Sequence, residues 1–412
     1  MLAALLIVGV VASGGLMTTS ATAAPRDAVR DREYWLDEYG IREAWNTTRG
    51  EGVTIAIIDT GVDGSVAELS GAVIGGADFS GLGSSNGQKP VGSDGAEHGT
   101  MVASLAAGRG TGGNNGVIGS APAANILALS IGFGEGDSTS DDQIAQAVRW
   151  AVDNGADVIN MSLTRNTLEW PESWDDAFLY AMENDVVVVA AAGNRGSGTT
   201  EVGAPATMPG VLTVAGVDVN GEASFDASSQ GITISVAAPS EDLVGVIPGG
   251  GYVIWNGTSG ATPIVAGIVA LVIAAHPELD AANVINRIVA TATDSGTPGA
   301  DAIYGFGLVN AAAAVTASVP TVTVNPMGDL EDWIRIYRRA ESTPTPVPTG
   351  APTASPDPVT AAPVNPMGTI LPTVNLLRNV GVPLMVISGF LALATWLGVV
   401  VVRGFRSSRK RE

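Results

Sequence analysis

The chain has 412 residues, room for one large domain with attachments, and its 41 acidic and 20 basic residues give a formal net charge of −21. That balance excludes a nucleic-acid binder working through a broad cationic surface. With no cysteine, disulfides, thiolate nucleophiles and Cys-ligated metals are excluded, and two histidines leave few candidates for acid–base work.

In chain order, residues 1–25 carry no charge, and an apolar run over 2–12 leads to Ala21-Thr22-Ala23. This small-x-small pattern predicts a secretory signal peptide over 1–23; a non-cleaved anchor is the alternative, for which the run is short. Residues 24–52 read as an extension packing on the domain that follows. From 53 to 319, short Val/Ile-rich runs predict strands at 53–58, 126–130, 158–161, 186–191 and 211–214. They show little alternation, so both faces are expected to be buried. Helices are predicted to begin near His98, Ser140, Ser173, Thr258 and Asp280. Strand and helix in turn imply an α/β fold with a mainly parallel central sheet.

Within 320–340, residues 329–339 predict a short helix, with acids first and arginines last to suit its dipole. Trp333, Ile336 and Tyr337 would share a face, suiting either a cap packed on the main domain or a partner-docking helix. Residues 341–379 hold nine prolines among Thr, Ala, Ser and Val and predict an extended tether. The sequence Val-Asn-Pro-Met-Gly occurs at 324–328 and again at 364–368. Residues 380–402 are uncharged, and as a helix would reach ~35 Å, enough to cross a bilayer. The tail 403–412 holds five basic residues and one acid, so the positive-inside rule makes it cytoplasmic. The segment 26–379 carries 40 acids against 15 bases and lies outside. The expected topology is a type I, single-pass protein of the cell membrane, touching lipid through 380–402.

Catalytic groups in such sheets lie at the carboxyl ends of the strands. The strand at 53–58 runs into Asp59-Thr60-Gly61, where a carboxylate beside apolar neighbours needs a partner. His98 stands at a predicted helix start in Glu97-His98-Gly99-Thr100, whereas His276 sits at a helix end, where the dipole explains it. Ser259 opens a helix in Gly257-Thr258-Ser259-Gly260-Ala261-Thr262-Pro263; a serine there is ordinarily a cap. Asp, His and Ser at strand ends and helix starts are also the parts of a nucleophilic triad, in which serine attacks, histidine takes its proton and aspartate orients the histidine. Asn194, after the strand at 186–191, can offer an amide to a developing oxyanion beside the Ser259 N–H.

These segments resemble the signature segments of the subtilisin-like serine proteases, the subtilases, in that family's order, with Ala191-Ala192-Gly193-Asn194 similar to its oxyanion segment and 116–122 to the segment after the histidine helix. The α/β-hydrolases are disfavoured by their Ser–acid–His order and by Ala261 where their elbow wants Gly. The likeness spans about 34–319 and implies a subtilisin-like three-layer fold, joined here to one C-terminal transmembrane helix. It implies Asp59, His98, Ser259 and Asn194 as the catalytic set acting on a protein or peptide substrate. Substrate backbone would pair with 132–136, including Gly132 and Gly134, and with Ser162-Leu163-Thr164, beside Gly193. Thr164 stands where the family usually has Gly. Arg195 lines the primary pocket in relatives, which suggests a preference for acidic or small residues before the scissile bond; a solvated arginine is the alternative. No cofactor is required; structural calcium is frequent in the family, with Glu68 where a ligand often lies and 112–115 a poor copy of the usual loop.

Signal peptide, a short extension in place of a folded propeptide, subtilase domain, tether and single span together resemble the mycosins, the membrane-anchored subtilases of actinobacterial type VII secretion. The chain departs from them in having no cysteine. Two functional classes follow: an active tethered endopeptidase with type VII membrane components as possible partners, or a subtilase-fold clamp in a membrane complex.

Overall fold

The computed structural model describes residues 27–338. The signal peptide (1–23), the tether (341–379), the span (380–402), the basic tail and the second Val-Asn-Pro-Met-Gly copy lie outside the described residues.

The strands are β1 (Thr54–Asp59), β2 (Val73–Asp78), β3 (Asn125–Ser130), β4 (Val158–Met161), β5 (Val187–Ala191), β6 (Leu212–Val217), β7 (Ile234–Pro239), β8 (Leu243–Val246) and β9 (Tyr252–Trp255). The first seven form one parallel sheet in the order β2-β3-β1-β4-β5-β6-β7. Every residue of β1, β4, β5, β6 and β7 is buried, which is why these strands read as unbroken apolar runs. The five predicted strands are all present. β2 was not legible because Gly75 and Gly76 interrupt it at the sheet edge. β8 and β9 form an antiparallel hairpin whose outer strand is exposed at Tyr252, Val253 and Ile254.

The helices are α1 (Trp35–Glu38), α2 (Ile41–Ala44), α3 (His98–Ala107), α4 (Ser140–Asp153), α5 (Glu172–Glu183), α6 (Thr258–Ala275), α7 (Ala281–Ala290), α8 (Ala311–Thr316) and α9 (Leu330–Tyr337). α3 packs on α6 and α4 on α5, and both pairs pack on the sheet, giving a layered α/β architecture. α6 is apolar all round because it is enclosed by the sheet, α3, α7 and α8. Among the described residues it is the one helix long and apolar enough to cross a membrane, yet it is a core helix. Its close approach to α3 depends on Gly267, where a Cβ would come within 2.5 Å of the Ser120 Cβ and 2.8 Å of the Ala106 carbonyl.

Helix starts follow local capping chemistry: Thr139, Asp280 and Asp329 each accept a backbone N–H from three residues on. α9 matches the predicted short helix, and Trp333 and Tyr337 stack at 5.1 Å, as their spacing implies. Leu330 is buried and Trp333 lies 4.4 Å from Trp170, while Ile336 and Tyr337 stay exposed. Arg338 closes the element by donating from Nε to Asp175 (2.7 Å) and from Nη2 to the Trp170 carbonyl (3.0 Å). His276 is the C-cap of α6, and its Nε2 meets the Val315 carbonyl at 2.7 Å, a purely structural contact.

Candidate active site

β1 delivers Asp59 at its last position, with no exposed surface. Its carboxylate accepts the Thr60 N–H (2.7 Å) and lies 2.9 and 3.0 Å from Nδ1 of His98. His98 is the first residue of α3, and Gly99 lets that helix end close on β1: a Cβ there would be 2.2 Å from the Gly61 carbonyl. Thr60 pins the junction, accepting the Gly99 N–H and donating to the Ala96 carbonyl, both at 3.0 Å. Burial of the His98 ring opposes its cationic form. The Asp59 carboxylate, its hydrogen bond and the nearby Glu97 outweigh that, so the imidazole titrates above its ordinary value of 6.5.

Ser259 lies in the first turn of α6, where backbone N–H groups have no intrahelical partner. Its hydroxyl donates to the Ser162 carbonyl (3.2 Å), just past the end of β4. Pro263 sits four residues on and has no N–H to give the Ser259 carbonyl. The Ser162 hydroxyl supplies the missing donor at 2.9 Å, and itself accepts from the Asn160 amide at 3.0 Å. Asn194 is oriented by Thr258: its Oδ1 accepts both the Thr258 N–H (2.8 Å) and the Thr258 hydroxyl (2.9 Å). The amide oxygen is thereby used internally and the NH₂ group turned the other way, toward Gly257, where a Cβ would approach it to 3.1 Å.

The remaining site residues fall into two groups. Gly132 spends its N–H on Gln143 (2.7 Å) and its carbonyl on the Ser140 hydroxyl (2.7 Å), and Gly134 spends its N–H on Ser140 (2.9 Å). Those groups are tied to the start of α4. Ser162 and Ser259 exchange hydrogen bonds, Gly193 and Asn194 bond to the neighbouring Thr258, Thr164 lies against Gly193, and Leu163 is buried. Arg195 turns aside: its Nε donates to the Ser228 carbonyl (3.1 Å) and its guanidinium covers the Phe225 ring at 4.6 Å. An open depression of about 300 Å³ lies on that side of Asn194, with Asp226, Glu241 and Asn256 in its lining.

Sequence reasoning missed Trp255, whose ring meets His98 edge-on at 5.7 Å, and the orienting roles of Thr258 and the Ser162 hydroxyl. Thr258 lay inside a motif already singled out and was readable there. Trp255 was not, because only the β8–β9 hairpin carries it to the histidine. The residues present are a hydroxyl in a helix first turn, a carboxylate-oriented imidazole and an amide oriented by Thr258, groups of the kinds that acyl transfer uses.

A family model for the subtilases, Peptidase_S8, matches residues 50–307. The chain belongs to the subtilase family. Subtilisin E of Bacillus subtilis (strain 168) is 40% identical over 273 residues, covering 64% of this subtilase and 66% of that relative. Among solved structures, MycP1 from Mycobacterium smegmatis aligns at 31% identity with a TM-score of 0.62, covering 75% of this subtilase and 90% of that chain. MycP1 from the ESX-1 type VII secretion system aligns at 32% identity with a TM-score of 0.62, covering 74% and 92%.

The calcium that the family suggested does not fit Glu68 and the loop at 112–116. Glu68 is buried and its Oε1 accepts the Tyr252 hydroxyl at 2.6 Å. The loop carbonyls of Asn115 and Gly116, which a cation would need, are taken by Nη2 and Nε of Arg30, each at 2.9 Å. Arg30 is itself paired with buried Glu33 at 2.7 Å. Among the described residues no cluster of three or more metal-ligating side chains occurs. A chelator is therefore expected to leave the thermal midpoint unchanged, whereas Arg30→Met, which leaves the buried carbonyls of Asn115 and Gly116 without their donors, should cost about 1–3 kcal/mol in denaturant unfolding. A chelator-induced drop of several degrees would contradict this.

Proposed function

We propose that this protein is a serine endopeptidase that cleaves peptide bonds through an acyl-enzyme, tethered to the outer face of a membrane. The observation that carries the reading is the Asp59–His98 hydrogen bond, found together with Ser259 in the first turn of α6 and an Asn194 amide oriented by Thr258. In this mechanism Ser259 Oγ attacks the scissile carbonyl while His98 Nε2 takes its proton. Asp59 keeps the Nδ1–H tautomer and stabilises the imidazolium; His98 then returns the proton to the leaving amine. Asn194 Nδ2 and the Ser259 N–H receive the oxyanion at the positive end of α6. Water repeats the sequence in reverse to release the acid.

Labelling with an alkyl fluorophosphonate tests the reading directly. The intact chain should react at one serine and the Ser259→Ala chain not at all; a folded wild-type chain that resists the probe points to the clamp reading instead. Asn194→Leu is expected to lower kcat by about 10²–10³-fold with little change in KM, because the oxyanion forms only in the transition state. Equal losses in binding and turnover would remove Asn194 from that role.

Secretion by residues 1–23, retention by 380–402 and a spacer over 341–379 would place the domain outside the cell at the end of a tether with a reach of up to ~120 Å. The likeness to MycP1 of a type VII secretion system supports work beside such a machine, on its substrates or as a stabilising part. Resistance of the membrane-bound chain to alkaline carbonate extraction, with the domain open to added protease on intact cells, is the expected behaviour. Pull-down with Ser259→Ala from membranes should retain secretion components; recovery of none separates the protease reading from the secretion link.

A further inference from the structure

We propose that Thr164 plugs the primary specificity pocket, so that the residue before the scissile bond must carry a side chain no larger than about a methyl or hydroxymethyl group. This rests on the peptidase reading above. The reacting carbonyl has to sit about 3–3.5 Å from Ser259 Oγ, with its oxygen turned to Asn194. Ser259 Oγ itself lies 3.2 Å from the Ser162 carbonyl, so the acylating residue lies against the 162–164 segment. A peptide extended along that segment sends alternate side chains to opposite faces. The side chain on the reacting residue then points between 162–164 and Gly193, just past the end of β5.

Two glycines flank Thr164 there: Gly193, and Gly203, which packs directly on the Arg165 carbonyl. The Thr164 side chain stands between them. Its Cγ2 is 3.2 Å from where a Gly193 Cβ would be, and its Oγ1 is 2.6 Å from where a Gly203 Cβ would be. The floor is crowded further at Gly193 by Thr199 Cγ2 (2.7 Å) and Ser229 Oγ (3.1 Å) from the same notional Cβ. Thr164 is not placed to swing clear: a β-branched side chain is stiff at χ1, and its hydroxyl donates to the Arg165 carbonyl at 3.1 Å. Arg195 directs its charge to Ser228 and Phe225 instead. Selection is then by size and not by charge, in place of the acidic half of the preference drawn from sequence. Excluding a phenyl ring by overlap with a fixed wall discriminates far more strongly than the loss of one methylene, worth about 10–200-fold.

The test uses the full chain and three peptidyl diphenyl phosphonates that differ only in their last residue, Ala, Phe or Glu. Each reacts by attack of Ser259 Oγ on phosphorus with loss of phenol. Rates are read as ratios and normalised to labelling by a plain fluorophosphonate, so a partly folded variant does not distort them. Wild type should react with the Ala probe at least tenfold faster than with the Phe or Glu probes. Thr164→Gly should lower the Ala:Phe ratio at least tenfold, and Thr164→Ser, which removes only the methyl against Gly193, should fall between. An Ala:Phe ratio near one in wild type, or one unchanged by Thr164→Gly, overturns the proposal while fluorophosphonate labelling still upholds the peptidase. A Glu probe faster than Ala overturns it in favour of Arg195. Failure of the fluorophosphonate itself overturns both readings.

Discussion

Ser259→Ala is expected to reduce peptide hydrolysis by about 10⁶-fold while leaving the fold intact, since only one oxygen is lost from a helix first turn. The Ser259 hydroxyl donates to the Ser162 carbonyl alone, a single bond worth about 0.5–1.5 kcal/mol net, so stability should barely change. His98→Ala should cost a similar factor, and the double variant little more, because nucleophile and base act as one unit. Residual rate would come from the oxyanion donors and from binding. Initial rates on a small peptide anilide, with protein quantified by its unfolding transition, check this. A loss below a hundredfold would mean that another group performs the attack.

Asp59→Asn is the second large effect, about 10⁴-fold in kcat, and it carries a signature in pH that a merely structural role would not produce. Catalysis needs neutral His98, so the rate rises as pH climbs through the imidazole pKa. In wild type that value lies above 6.5, because the Asp59 carboxylate, its hydrogen bond and Glu97 outweigh the ring's burial. The acid limb of kcat/KM should therefore have its midpoint above 6.5. With the carboxylate replaced by an amide, burial remains and its main opponent is gone, so the midpoint must move to lower pH. Asn can still accept the Thr60 N–H that Asp59 accepts at 2.7 Å, which keeps the local backbone in place. A limb that stays put, or moves upward, would separate Asp59 from the histidine it contacts.

Much of the fold was readable because a parallel sheet buries both faces of its strands: β1, β3, β4, β5 and β6 announced themselves as apolar runs. Where that rule is relaxed the reading failed. β2 lies at the sheet edge with two glycines and β9 is exposed; β7 was passed over although all of it is buried. At the site, the motif residues arrived where strand ends and helix starts put them. Contacts that exist only across the fold were not readable: Trp255 against His98, the Ser162 hydroxyl on the Ser259 carbonyl, and Arg30 in the loop at 115–116. Nothing in the local pattern around Arg30 points 85 residues ahead to the carbonyl it binds. The bonds that Gly132 and Gly134 make from their N–H groups to Gln143 and Ser140 were likewise not announced by the local sequence.

The proline four residues after Ser259 has a consequence for how the protein can vary. Because Pro263 cannot hold the Ser259 carbonyl, that carbonyl takes its hydrogen bond from Ser162. The nucleophile is thus levelled against the sheet and only loosely against its own helix. Repacking along the later turns of α6 can be absorbed without detuning the attack geometry. Lengthening or shortening the chain between Val158 and Ser162 by a single residue cannot, since it would lift the datum from which Ser259 is measured.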